Sequence, residues 1–443
     1  MEQTTIYDKP VRMRTMLAFT FPTMILMVFT SLYTVADGIV VSNFVGSLGL
    51  SAINIVYPLL NVTMAVSLML STGSNAVIAK KLGEGKREEA NRFMSLVTLV
   101  TIAAVGVLVT VVMLFAEPLY YLLGSDDELL PYCMEYGKIV VPGAVFMSLQ
   151  FVFQTYLVTA DRPHLALGLT VTGGVINIVL DILLVGPLQM GVAGAAIASV
   201  VGQAVATVIP AVMFFNEKML IHFQKPKWAG IELLYAMGNG SSEMVSNLAS
   251  AITTVLFNLQ MMSLVGEKGV AAISAVLYLD FIFVSIFIGF SSGIGPVISY
   301  NYGAKNHGNL QKLFRISMKV IGFFSVLMFA LSEIFNEVLV MVFASDDPVL
   351  AELMIDGFRI FALKFLFSGF ILMASSFFTA LNNGKISALI SFLRTFVLEM
   401  SALIVLPMVL GLTGVWAALP VSESIGAAVA VALLWKYKKV YHY

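Results

Sequence analysis

Leu165-Ala166-Leu167-Gly168-Leu169-Thr170-Val171-Thr172-Gly173-Gly174-Val175-Ile176-Asn177-Ile178-Val179-Leu180-Asp181-Ile182-Leu183-Leu184-Val185 is an apolar run with one charge, Asp181, near its end. A bilayer core about 30 Å thick is crossed by roughly 20 such residues in a helix. Eleven more apolar runs flank this one, near 15–41, 50–79, 93–116, 130–157, 192–215, 233–262, 270–299, 315–341, 355–380, 386–408 and 412–435. Lipid cannot satisfy open backbone groups, so each run is expected to be helical. Alternating segments of about ten residues, the mark of a transmembrane barrel, do not occur.

Composition agrees. Of 443 residues, 59% are hydrophobic and 12% charged, against about 25% charged in soluble domains. Twelve spans and their loops consume nearly the whole chain, which leaves no room for a soluble catalytic module. The segment before the first run, Met1 to Arg14, is polar and has no small-residue cleavage site after a short apolar region. The first run is therefore read as a retained helix rather than a signal peptide.

Basic residues fall in alternate loops: Lys9, Arg12 and Arg14; Lys80, Lys81, Lys86, Arg87 and Arg92; Arg162; Lys218, Lys225 and Lys227; Lys305, Lys312, Arg315 and Lys319; Lys385; Lys436, Lys438 and Lys439. The intervening loops include the acidic Ser125-Asp126-Asp127-Glu128 and Ser345-Asp346-Asp347. The positive-inside rule places both termini in the cytoplasm, which requires an even number of spans.

A shift of 220 residues aligns the chain with itself. Gly46 falls on Gly266, Ala52-Ile53 on Ala272-Ile273, Gly73 on Gly293 and Gly83 on Gly303. Ser125-Asp126-Asp127 falls on Ser345-Asp346-Asp347, Thr159-Ala160 on Thr379-Ala380, and Pro187, Gly191 and Gly194 on Pro407, Gly411 and Gly414. An even number of helices per copy gives a parallel repeat. The expected architecture is all-α: twelve transmembrane helices in two six-helix bundles, residues 1–222 and 223–443, with a central cleft between them. The polar link Asn216 to Gly230 joins the lobes.

Ionisable groups inside the spans carry the functional information, because each costs about 2.5–3.5 kcal/mol at a helix centre. Asp37 lies late in the first run. Asn177 and Asp181 are four apart and share one helix face, and Ser199 is a candidate neighbour. The set reads as a proton- or sodium-responsive cluster; hydrogen bonding to a neighbouring helix end is the alternative. The second half carries Glu243, Asp280, Glu399 and Glu423 with Arg359, Lys364 and Arg394. These acids are candidates for attracting a cationic substrate, or partners in internal salt bridges. Arg394 and Glu399 are five apart, which is poor facing on an α-helix. Pro22, inside the first run, is a hinge or a static kink. The 25 methionines would suit a promiscuous pocket, or simply pack.

Other chemistries find no support. Cys133 is alone, and the four histidines (His164, His222, His307 and His442) have no metal-ligand spacing. No structural metal is expected, and the possible ion is Na+ at Asp37, Asn177 and Asp181. Gly83-Glu84-Gly85-Lys86 lacks the phosphate-loop pattern and reads as a tight turn. No nucleophile–base set and no basic nucleic-acid-binding domain stand out; no enzyme activity, cofactor or nucleic-acid partner is expected.

The chain resembles the multidrug and toxic compound extrusion (MATE) family over its length. The resemblance rests on Ala36-Asp37-Gly38 with Gly46, on Leu82-Gly83-Glu84-Gly85-Lys86 with Glu89-Ala90, and on Asn177-Ile178-Val179-Leu180-Asp181 with Gly191-Val192-Ala193-Gly194-Ala195-Ala196-Ile197-Ala198-Ser199. It implies two lobes forming a V-shaped central cleft and drug/H+ or drug/Na+ antiport by alternating access, with Asp37, Asn177, Asp181 and Ser199 as the cation network, Tyr33 and Tyr136 as further members, and Pro22 as the bending point. Ser199 stands where relatives often carry Thr. Glu243 matches a helix 7 glutamate of one branch without the usual neighbouring proline. The expectation is a monomeric prokaryotic inner-membrane exporter of small organic cations. A flippase or exporter of a lipid-linked or anionic metabolite, expecting a cationic cleft, is the alternative that Arg359, Lys364 and Arg394 keep open.

Overall fold

The computed structural model of the protein describes residues 5–344 and 347–443, the side chains of residues 35–44 and of Ser47 excepted. The helices are α1 Met13–Thr34, α2 Leu48–Gly83, α3 Arg87–Leu114, α4 Ala116–Leu122, α5 Leu130–Thr159, α6 Pro163–Val185, α7 Gly191–Met213, α8 Gly230–Leu264, α9 Glu267–Gly303, α10 His307–Ile334, α11 Asn336–Ala344, α12 Pro348–Ala362, α13 Phe365–Ala380, α14 Gly384–Leu410 and α15 Leu412–Tyr441. No strand occurs among the described residues.

Ten of these helices are long and apolar enough to cross a membrane. The run expected at 355–380 is not one straight helix: α12 and α13 meet at a bend of 49°. There Leu363 and Lys364 donate their amides to Ile360 and Phe361, three residues back, which tightens the backbone and turns the chain. Counted as one broken span, the pair is the eleventh. Helix α8 has 35 residues, about 52 Å at 1.5 Å per residue, but is not apolar enough to join those ten. It is the twelfth element by length and by its place in the repeat. The short helices α4 and α11 were not visible as separate elements in the hydropathy pattern.

The 220-residue repeat is written in the backbone. Shifted by 220, α3 becomes His307–Ile334, which is α10 residue for residue. Gly46 and Gly266, each just before the second helix of its half, have φ of 81° and 87°. Gly191 and Gly411, which open α7 and α15, have φ of 54° and 58°. Side chains rarely adopt that region, so glycine is the residue that turns the chain there.

The chain packs as two units, residues 29–240 and residues 1–28 with 241–443. In the first, α2 crosses the start of α8 backbone to backbone: a Cβ on Gly73 would fall onto Ala236 O, and one on Gly240 onto Met69 O. In the second, α9 meets α1 the same way. A Cβ on Gly289 would lie 2.6 Å from Thr23 O, while Thr23 donates its hydroxyl to Gly289 O at 2.8 Å. Gly73 and Gly293 are repeat mates, as are Gly240 and Thr20, so one crossing is built twice. Pro22 is buried within α1, and the helical torsions of Met13–Gly83 are interrupted at Gly46 rather than at the proline.

Candidate functional site

Glycines bring the first polar cluster together. A Cβ on Gly173 of α6 would lie 2.6 Å from Gly202 O of α7, and one on Gly202 would lie 2.6 Å from Gly173 O and 2.9 Å from Asn177 Cβ. The two helices therefore touch at main-chain distance, the small-residue packing common between membrane helices. Next to it, Gly174 leaves room for α1: a Cβ there would meet Phe29 at 2.9 Å and Tyr33 at 3.3 Å.

Three side chains meet across this junction. Tyr33 Oη donates to Asn177 Oδ1 at 2.6 Å, and Asn177 Nδ2 donates to Ser199 Oγ at 3.4 Å. Asp181 lies one turn beyond Asn177 on the same face of α6. Asn177 and Asp181 are each 1% exposed. Sequence reasoning placed these four together, and the structure joins Tyr33, Asn177 and Ser199 in one hydrogen-bonded chain. The side chain of Asp37 lies outside the described residues. Tyr136, on α5, is buried in an apolar cluster with Ala52, Val56, Val192 and Ala196; the last two lie on α7, one to two turns before Ser199.

The second cluster lies in the other unit. Arg394 Nε and Nη2 both donate to Glu423 Oε1, at 3.1 and 2.5 Å, and Arg394 Nε lies 3.3 Å from Glu399 Oε1. Lys364 Nζ donates to Asp280 Oδ2 at 2.8 Å and lies 5.0 Å from the Phe361 ring centre. Glu423 is fully buried and the Lys364 side chain is 2% exposed. Arg394 acts electrostatically on Asp280 as well, and Glu399 also feels Lys364 and Asp280, so these five charges form one set; half-buried Glu243, outside these ion pairs, lies in the field of Arg394.

The poor facing expected of Arg394 and Glu399 is corrected by a local change of helix type. Residues Leu393–Glu399 form a π-helical turn. Five residues on an α-helix turn through about 500°, leaving the pair about 140° apart. Backbone closure from i to i+5 brings them onto one side. Glu423 and Asp280, read as free attractors of substrate or as salt-bridge members, are found in ion pairs. Arg359 is exposed, away from this set.

Sequence reasoning missed the π turn, for which no local signal exists. It also missed a hydroxyl network in which Ser375 lies 2.9 Å from Ser387 and 3.2 Å from Ser391, and Thr379 lies 2.6 Å from Ser387. The Gly173-Gly174 pair and Gly202 were visible signals of close helix contact. Among the described residues no group of three or more His, Cys, Asp or Glu is placed to hold a metal ion.

A helical membrane protein built from two parallel repeats, with buried charged and hydrogen-bonded sets inside each, belongs to the class of multi-pass transporters. The MatE family model matches residues 22–183 and again 243–405, once in each repeat. The chain belongs to the MATE family of membrane transporters. It is 24% identical over 449 residues to the multidrug export protein MepA of Staphylococcus saprophyticus, covering 98% of this chain and 96% of that one. It is 24% identical over 424 residues to an FAD transporter of Shewanella oneidensis, covering 93% and 91%. A crystal structure of MATE in complex with MaL6 has the same fold, with a TM-score of 0.93 at 22% identity over 98% of each chain.

Proposed function

We propose that this protein is a secondary antiporter that exports small amphipathic organic cations in exchange for H+ or Na+ by alternating access. The observation that carries the proposal is the Tyr33–Asn177–Ser199 hydrogen-bond chain next to the fully buried Asp181. A carboxylate at that depth changes its energy steeply with its proton or cation, and its neighbours are oriented to respond. Asp37, four residues after Tyr33, completes the coupling set, with Tyr136 on α5. Ion binding there shifts the balance between two transporter states by its differential affinity for them. The two copies of the repeat are residues 1–222 and 223–443, both termini are cytoplasmic, and a monomer in the cytoplasmic membrane suffices. No cofactor takes part.

Similarity to MepA proteins supports export of several drugs. Similarity to the FAD transporter supports a second reading, an exporter of an anionic metabolite. The buried charges favour the first. Lys364 and Arg394, cations on the inner side of the second unit, are already held by Asp280, Glu399 and Glu423, which leaves neither open to an anionic head group.

The test is uptake of a fluorescent organic cation into everted membrane vesicles, with a proton or a sodium gradient imposed separately. One gradient is expected to drive uptake, and Asp37→Asn and Asp181→Asn are expected to abolish it. Vesicles containing folded protein that move the cation under neither gradient, but move a flavin nucleotide, would establish the anionic reading instead.

A further inference from the structure

The second unit holds a set of buried charges that does not balance. Asp280, Glu399 and Glu423 are three carboxylates, Lys364 and Arg394 two cations, and the ion-paired side chains are between 0 and 16% exposed. Fully ionised, the five groups carry one net negative charge. Isolated buried charge is costly enough that a group gives it up by taking a proton. Glu423 shows where the imbalance lies. Its Oε1 accepts from both Arg394 nitrogens, while its Oε2, fully buried, accepts no hydrogen bond among the described residues. The other carboxylate on the guanidinium is Glu399, held there by the π turn.

We propose that Glu399 and Glu423, bridged by Arg394, form a proton-binding site that holds one shared proton at neutral pH and exchanges it with water as the protein works. The site is separate from the coupling set of the first unit. Uptake converts one carboxylate to a carboxylic acid, with water or hydronium as the proton source, and takes the five-group set from a charge of −1 to zero. Proton loss restores the second ionic contact to Arg394, within α14 when the proton leaves Glu399 and across to α15 when it leaves Glu423; proton uptake slackens that contact.

The groups that act on this pair are few. On α14 they are Arg394 and Glu399 themselves, and α15 supplies Glu423. Lys364, at the start of α13, and Asp280, on α9, act on Glu399 through space, and Glu243 on α8 lies within the field of Arg394. The charges of α12 (Glu352, Asp356 and Arg359) and Lys385 of α14 are exposed or half-exposed at the surface.

The experiment is infrared spectroscopy of the full-length protein in lipid, with neither substrate nor gradient, counting protonated carboxyl groups by their C=O stretch and its shift in heavy water. Because no transport is read, failure of the antiport proposal and failure of this one are separate results. At neutral pH the wild type is expected to show one carboxylic acid more than Glu423→Gln and one more than Glu399→Gln, since removing either negative charge balances the set. Arg394→Gln, which removes a cation, is expected to gain one. Both glutamine replacements are near-isosteric, and retained helical circular dichroism marks them as folded. A carboxyl count unchanged in Glu399→Gln and Glu423→Gln overturns the proposal. So does a band that appears only when sodium is withdrawn, which would make the bound cation Na+.

Discussion

Lys81 Nζ lies 2.7 Å from Glu89 Oε2, and 220 residues later Asn309 Nδ2 donates to Asn301 Oδ1 at 3.1 Å. The two contacts are repeat mates, one ionic and one neutral, at the same turn between the same two helices. Asn91 and Gln311 reach His222 and His442 in the same register. The repeat thus preserves the place of a contact while its chemistry changes.

The neutral copy therefore predicts what the ionic copy tolerates. Glu89 is half-exposed and Lys81 also reaches Glu232 at 3.2 Å. A double-mutant cycle on Lys81 and Glu89 should give a coupling of about 0.2–1 kcal/mol, the range for exposed pairs. Lys81→Asn with Glu89→Asn should melt closer to wild type than Lys81→Asn alone. A double variant that melts lower than either single would mean the charge, rather than the contact, is what this turn requires.

Glycine packing between α6 and α7 sets the geometry of the coupling chain. Gly202→Ala places a methyl 2.6 Å from Gly173 O and 2.9 Å from Asn177 Cβ, so the helices must part and the 3.4 Å bond from Asn177 to Ser199 must lengthen. Overpacking of this kind costs about 1–3 kcal/mol. Transport should fall at least tenfold while helix content stays unchanged. Gly168→Ala, on the partner helix α6 with nothing within 4 Å of the added methyl, is the control and should transport normally. Equal loss in both variants would refute a specific role for the Gly173–Gly202 contact.

Asp347 caps α12, accepting from the amides of Val349 and Leu350 at 3.1 Å each, and pairs with Lys268 at 2.7 Å. The hydrogen bond from Lys268, followed by that from the Leu350 amide, holds its carboxyl below the ordinary aspartate value of 3.8. A folded-state value below the unfolded one stabilises above the unfolded value, and the gain is lost as pH falls through the folded value. The melting temperature of Asp347→Asn should therefore lie below wild type at neutral pH, and the gap should close below about pH 4. A gap that persists at lower pH would locate the effect in amide packing rather than in charge.

How much of this could be read from the residues depends on the range of the interaction. The spans follow from local hydropathy, and the repeat from glycines whose torsions it fixes. Asn177 and Asp181 were legible because a helix face is a local property. Lys364 with Asp280 was not legible: the two lie 84 residues apart, and pairing at that distance is decided by packing. Arg394 with Glu399 misled, because an α-helical wheel separates residues that a π turn unites. The bend at Leu363–Lys364 was hidden in a run, 355–380, that holds no Pro and whose charges, Asp356, Arg359 and Lys364, do not mark a break.

The same Lys364–Asp280 pair gives the sharpest stability test. Lys364 is 2% exposed as a side chain and Asp280 16%, and Asp280 Oδ1 accepts no hydrogen bond among the described residues. Removing one partner leaves the other charge buried, which costs about 3–5 kcal/mol, whereas neutralising both is often nearly free. Lys364→Met should therefore lower the melting temperature strongly. Lys364→Met with Asp280→Asn should recover most of that loss, since methionine keeps an unbranched apolar side chain, one atom shorter than lysine, beside Phe361. Full stability in the single variant would show that Asp280 is already neutral when its lysine is absent. No recovery in the double variant would show that the ammonium is needed for the shape of the α12–α13 bend, at whose centre it stands.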